Sequence, residues 1–131
     1  MRKIAIAAMA ATIWAGLSVV PASAQDHVGP VTDYFKTNIE PWLSDPVVIK
    51  AINDQNATHA GLSQADIDEL DKKWRAETEA GSHPMIDGVL GNPLSKFLLE
   101  KQAASGGMIT EVFVMDNKGL NVGQSGVTSD Y

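Results

Sequence analysis

The chain has 131 residues, 16 Asp and Glu against 10 Lys and Arg, a formal net charge of −6, and no cysteine. That length bounds it to one domain with a modest core. The acidic balance argues against nucleic acid and anionic membrane as partners, and without cysteine an exported chain must rely on packing alone.

Residues 1–24 read as a secretory signal. Arg2 and Lys3 form a basic start, Ile4 to Val20 is uncharged and mostly apolar, and Ala22-Ser23-Ala24 makes a small-residue cleavage site before Gln25. The competing reading is a retained membrane anchor. The apolar run is about 17 residues, the low edge of what spans a bilayer, and the cleavage site follows it directly. Cleavage leaves residues 25–131 as the mature domain, in a bacterial periplasm or released from the cell.

Beyond a short leader, Val31, Tyr34, Phe35, Ile39, Trp42 and Leu43 fall at helical spacing. Pro41 should bend or interrupt that helix, because it lacks a donor and crowds the preceding turn. Asp45-Pro46 signals the next helix as an N-cap followed by proline at the first helical position, with Val47, Val48, Ile49 and Ile52 apolar and an end near Gly61. Ser63-Gln64-Ala65-Asp66 approximates a capping box that opens a helix carrying Ile67, Leu70 and Trp74 inward. A short helical turn is expected over 84–90. Asn92-Pro93 repeats the cap-plus-proline signal, and Leu94, Phe97 and Leu98 form one stripe that ends near Ser105-Gly106-Gly107.

Two strands follow. Ile109 to Met115 and Leu120 to Ser125 flank Asn117-Lys118-Gly119, which suits a three-residue hairpin loop with glycine in the left-handed position. The first strand is apolar on both faces, Val112 and Val114 on one, Phe113 and Met115 on the other, so both faces are expected to be covered. In the second, Leu120 and Val122 point one way, while Asn121, Gly123 and Ser125 point the other and are small and polar. That polar face either borders a ligand cavity or meets solvent. The fold class expected is α+β, with N-terminal helices packed on an antiparallel sheet.

A helical region, a strand ending in Asp-x-x-Gly and a second strand, in that order, resemble the extracytoplasmic Cache (PDC) sensor domains, relatives of the PAS fold. Phe113-Val114-Met115-Asp116-Asn117-Lys118-Gly119-Leu120-Asn121-Val122 resembles the opening hairpin of that fold. Thr128-Ser129-Asp130-Tyr131 is similar to the segment after it in single-domain periplasmic members. Trp42-Leu43-Ser44-Asp45-Pro46 and Leu62-Ser63-Gln64-Ala65-Asp66-Ile67-Asp68 resemble the same group. Family members continue past the tyrosine with a tryptophan, an acidic stretch and further strands. The resemblance therefore implies an incomplete PAS/Cache-like sheet, truncated at the C-terminus, of which only the first hairpin is present, with an open strand edge that invites pairing.

The function this implies is a non-catalytic, periplasmic sensor-type domain in signal transduction. It would bind a small molecule, a carboxylate or an amino acid, and present it to a membrane receptor. The candidate ligand residues are Asn121 and Ser125, from the small polar strand face, and Asp130 and Tyr131, from the family segment. A phenol and a carboxylate at a pocket mouth suit an amine or another polar group. The plainer alternative is that these residues only cap the hairpin. Self-association or receptor docking through the open edge is a second reading, and a non-functional remnant a third.

Catalytic and metal chemistry find little support. His27, His59 and His83 lie far apart without zinc-ligand spacing and read as surface or cap residues. Asp66, Asp68 and Asp71 lack the glycine and terminal glutamate of a calcium loop and read as a solvated helix face. Gly123-Gln124-Ser125-Gly126 is not a nucleophile elbow, and no histidine neighbours it in sequence. Gly106-Gly107 precedes a strand, not a helix, and so makes no phosphate cradle. Trp42 and Trp74 read as core. No cofactor is implied.

Overall fold

A computed structural model describes residues 27–131, so the signal segment lies outside the described residues. These residues fold as α+β: helices first, then a single two-stranded antiparallel hairpin. The order is α1 (Val28–Tyr34), a π-helical segment (Phe35–Ile39), α2 (Glu40–Leu43), α3 (Pro46–His59), α4 (Gln64–Thr78), α5 (Pro84–Leu90), α6 (Pro93–Ala104), β1 (Phe113–Met115) and β2 (Asn121–Gln124). No described helix is long and apolar enough to cross a membrane.

The first helix begins at Val28, three residues before its apolar stripe, because Pro30 falls in the first turn, where no backbone donor is needed. Pro41 interrupts the helix by way of the π segment just upstream. The Glu40 N–H donates to Phe35 O, five residues back. The Trp42 indole donates to Asn38 O at 2.7 Å. The wider turn relieves the crowding a proline ring imposes on the carbonyl four residues before it.

The helix starts follow the sequence signals. The Asp45 carboxylate accepts from the Val47 N–H at 2.9 Å. Ser63 and Asp66 form the reciprocal capping box. Asn92 Oδ1 accepts from the Ser95 N–H at 2.8 Å. Each cap satisfies a backbone donor that the helix itself leaves open.

The main core joins α2, α3, α6 and β2 through Trp42, Val48, Leu94, Leu98 and Val122, with Val112 and Val114 packed against it. Trp42 meets Phe97 edge-on at 5.9 Å between ring centroids. A second packing centre surrounds Trp74, which is fully buried and stacks on Tyr131 at 5.3 Å. Both tryptophans are thus packed inside, as their helical spacing suggests.

The strands are shorter than their apolar runs, and the hairpin corrects two expectations. First, β1 is covered on one face only. Phe113 and Met115 are 44% and 50% exposed, whereas Val112 and Val114 reach the core. Second, the pairing Val114↔Gly123 and Met115↔Asn121 leaves Val122 as an extra, bulged residue. The bulge breaks the alternation, so Val122 and Gly123 both turn toward the helices. A Cβ on Gly123 would lie 2.7 Å from Leu94 Cγ, and only glycine lets β2 approach α6 this closely. Asn121, Gly123 and Ser125 therefore do not form one polar face.

Candidate functional site

Asp116 organises the hairpin turn. Its Oδ1 accepts the Lys118 N–H at 2.8 Å and the Leu120 N–H at 3.0 Å. The loop closes through Gly119, whose φ of 84° is open to glycine. Oδ2 faces α3 and accepts Gln55 Nε2 at 3.0 Å and His59 Nδ1 at 2.7 Å. Burial pushes the Asp116 carboxyl up, but these donors together outweigh it and hold the group below its ordinary value. An ionised carboxylate only accepts, so the proton on Nδ1 belongs to His59.

His59 thus departs from the surface or cap role expected from sequence. Its side chain is 15% exposed and its partner's is 0% exposed, and 57 positions separate the two residues along the chain. The ring lines a cleft of about 430 Å³ that runs beside α3, floored by Val47, Ala51, Leu94 and Val122.

A second cleft, of about 460 Å³, opens on the other side of the hairpin. The exposed side chains of Phe113 and Met115 give it an apolar floor, and Glu111, Asn121, Asp130 and Tyr131 stand around them. Segment 127–131 walls it because α4 holds that segment down. Trp74 Nε1 donates to Thr128 O at 2.9 Å, the Tyr131 N–H donates to Asp71 Oδ1 at 3.2 Å, and the Tyr131 ring stacks on Trp74. Burial, and then the Asp116 charge, raise the Tyr131 phenol above its ordinary value, so it stays protonated as a donor.

Three of the four residues singled out from sequence meet at this outer cleft: Asn121, Asp130 and Tyr131. Asn121 is committed structurally, since its amide donates to Thr128 Oγ1 at 2.9 Å and to Asp130 O at 3.0 Å. Asp130 lies 3.9 Å from the Arg75 guanidinium and accepts from the Ser129 hydroxyl. Ser125 does not line the cleft. Its hydroxyl accepts the Val112 N–H at 3.1 Å and extends the ladder past the end of β1.

Beneath the wall, Gln124 is buried and its Nε2 has no hydrogen-bond partner among the described residues. Thr128 Oγ1 lies 3.0 Å from Gln124 Oε1 and 2.7 Å from Asp130 O, yet a hydroxyl has one proton. With the Gln124 amide turned by half a rotation, Nε2 donates to Thr128, and Thr128 donates to Asp130 O. The unmade bond then falls on a carbonyl oxygen, the commoner and cheaper kind of orphan.

Sequence reading missed Glu111 and the His59–Asp116 pair. The signal for the pair was present as the Asp of Asp-x-x-Gly, but its partner on α3 is fixed by packing and not by spacing. Among the described residues, no group of three or more His, Cys, Asp or Glu side chains is placed to hold a metal ion. Comparison with known protein families, with characterised proteins and with solved structures gives no match for this chain.

Proposed function

We propose that the chain is an exported, non-catalytic, sensor-type domain that binds an amine-bearing small molecule, an amino acid foremost, in the outer cleft. The observation that carries this reading is the composition of that cleft. Two exposed apolar side chains, Phe113 and Met115, share its lining with the acidic residues Glu111 and Asp130. An acidic rim over an apolar floor suits an ammonium group on an apolar body and repels a ligand that is only a carboxylate. Tyr131, whose phenol stays protonated, also lines that cleft and brings a hydroxyl to the residue set. The order of helices and hairpin, and the resemblance to Cache sensor domains, agree with a receptor role that signals to a membrane partner.

The test is a thermal-shift and calorimetric screen of residues 25–131 against amino acids, their decarboxylated amines and their deaminated acids. Amines and amino acids should stabilise the protein, and the deaminated acids should not. Asp130→Asn and Glu111→Gln should each weaken binding about tenfold, the worth of one charge-assisted hydrogen bond. A screen in which no amine stabilises the folded protein at millimolar concentration sinks the proposal.

One observation favours a second reading. The outer edge of β1 pairs with no strand among the described residues, beside exposed Phe113 and Met115. Such an edge accepts a strand from a receptor or from another copy. Sedimentation across micromolar to millimolar concentration separates the readings: a strict monomer leaves self-association without support.

A further inference from the structure

The cleft beside α3 lies apart from the outer cleft, and its chemistry differs. Its lining residues on α3 include Val47, Ala51, Gln55 and His59, four positions apart on one helix face. That stripe is roughly 18 Å long at helical rise, so the cleft is a groove and not a round pocket. Its floor is apolar, from Val47, Ala51, Leu94 and Val122. The polar groups along it are largely committed. Lys50 pairs with Asp54 at 2.5 Å, Gln55 donates to Asp116, and the Asn92 amide donates to Val122 O at 2.8 Å.

His59 is the exception. Asp116 fixes Nδ1 as the protonated nitrogen at 2.7 Å, so in the neutral ring Nε2 is an acceptor. Among the described residues Nε2 has no hydrogen-bond partner, and the ring lines the open groove. An acceptor whose tautomer is fixed, open at the end of an apolar groove, is matched by a donor on an apolar body. Asp54 is matched by Lys50, and the charge left beside the groove is that of Asp116 behind His59, which disfavours an anionic occupant.

We propose that this groove binds an elongated, mostly apolar alcohol or phenol, whose body lies on Val47, Ala51, Leu94 and Val122 and whose hydroxyl donates to His59 Nε2. The site goes beyond the amine site of the outer cleft and stands independently of it. Its occupant also touches the anchor of the hairpin turn, since the His59 ring is held by Asp116.

The matched probes are 4-propylphenol and 4-propylanisole, which differ by the methyl group that removes the donor. In two-dimensional NMR of residues 25–131, the phenol should shift the amides of Ala51, Thr58 and His59 saturably and move the His59 Nε2 nitrogen resonance. The anisole should bind about tenfold more weakly, since only the hydrogen bond is lost. His59→Phe should bring the two probes to equal affinity while retaining the ring volume. Should that variant fold poorly, the phenol and anisole comparison on the unaltered protein decides alone. The proposal is overturned if the phenol leaves the α3 amides unmoved at millimolar concentration, or if both probes bind the unaltered protein equally.

Discussion

At the scale of single residues, Asp116 does the most. It ties Lys118 and Leu120 into the turn and Gln55 and His59 onto it, so one carboxylate joins the hairpin to α3. Asp116→Asn keeps the shape but loses the charge and half of the accepting capacity. We expect a cost of about 2–3 kcal/mol at pH 7, from donors left poorly satisfied. The folded carboxyl is held below its ordinary value, so its stabilisation is complete above the unfolded carboxylate range near pH ~4 and is lost as pH falls through the lower folded value. The gap between the original protein and the variant, read by urea unfolding, should therefore be full at pH 7 and should narrow below about pH 4. The Asp-x-x-Gly turn was legible because its pieces are neighbours in sequence. The contact with His59 was not, because nothing within the chain's local pattern sets how α3 crosses the hairpin.

Elements were the most legible level. Asp45-Pro46, Ser63 to Asp66 and Asn92-Pro93 each place a cap where a helix begins, because capping is a short-range hydrogen bond written in adjacent residues. The strand faces were less legible. Strict alternation put Asn121, Gly123 and Ser125 together, but a single bulged residue, Val122, turned Gly123 toward Leu94. That close approach makes Gly123→Ala a test of the β2–α6 contact. The new Cβ would sit 2.7 Å from Leu94 Cγ, so the melting temperature should fall, by an overpacking cost of about 1–3 kcal/mol. Leu94→Ala combined with it should recover part of that loss, giving less than additive damage in a double-mutant cycle. Strictly additive losses would mean that the two residues do not press on each other.

On the scale of the whole molecule, the protein has two packing centres, one around Trp42 and Leu98 and one around Trp74 and Tyr131, bridged by β2 and the segment after it. Leu98 is fully buried, so Leu98→Ala should cost about 2–4 kcal/mol. If the centres melt as one unit, single-tryptophan versions reporting from Trp42 and from Trp74 should shift to the same denaturant midpoint. A shift confined to Trp42 would mean that they unfold separately. The interior was largely readable from apolar spacing. The exposure of the first helix was not, because apolar spacing marks a stripe on a helix and does not say whether anything packs against it. Val28, Val31 and Phe35 are exposed, and α1 has no buried residue on any face, while Trp42 faces in. The leading helix thus holds its oily side chains in water, where neither packing centre reaches them.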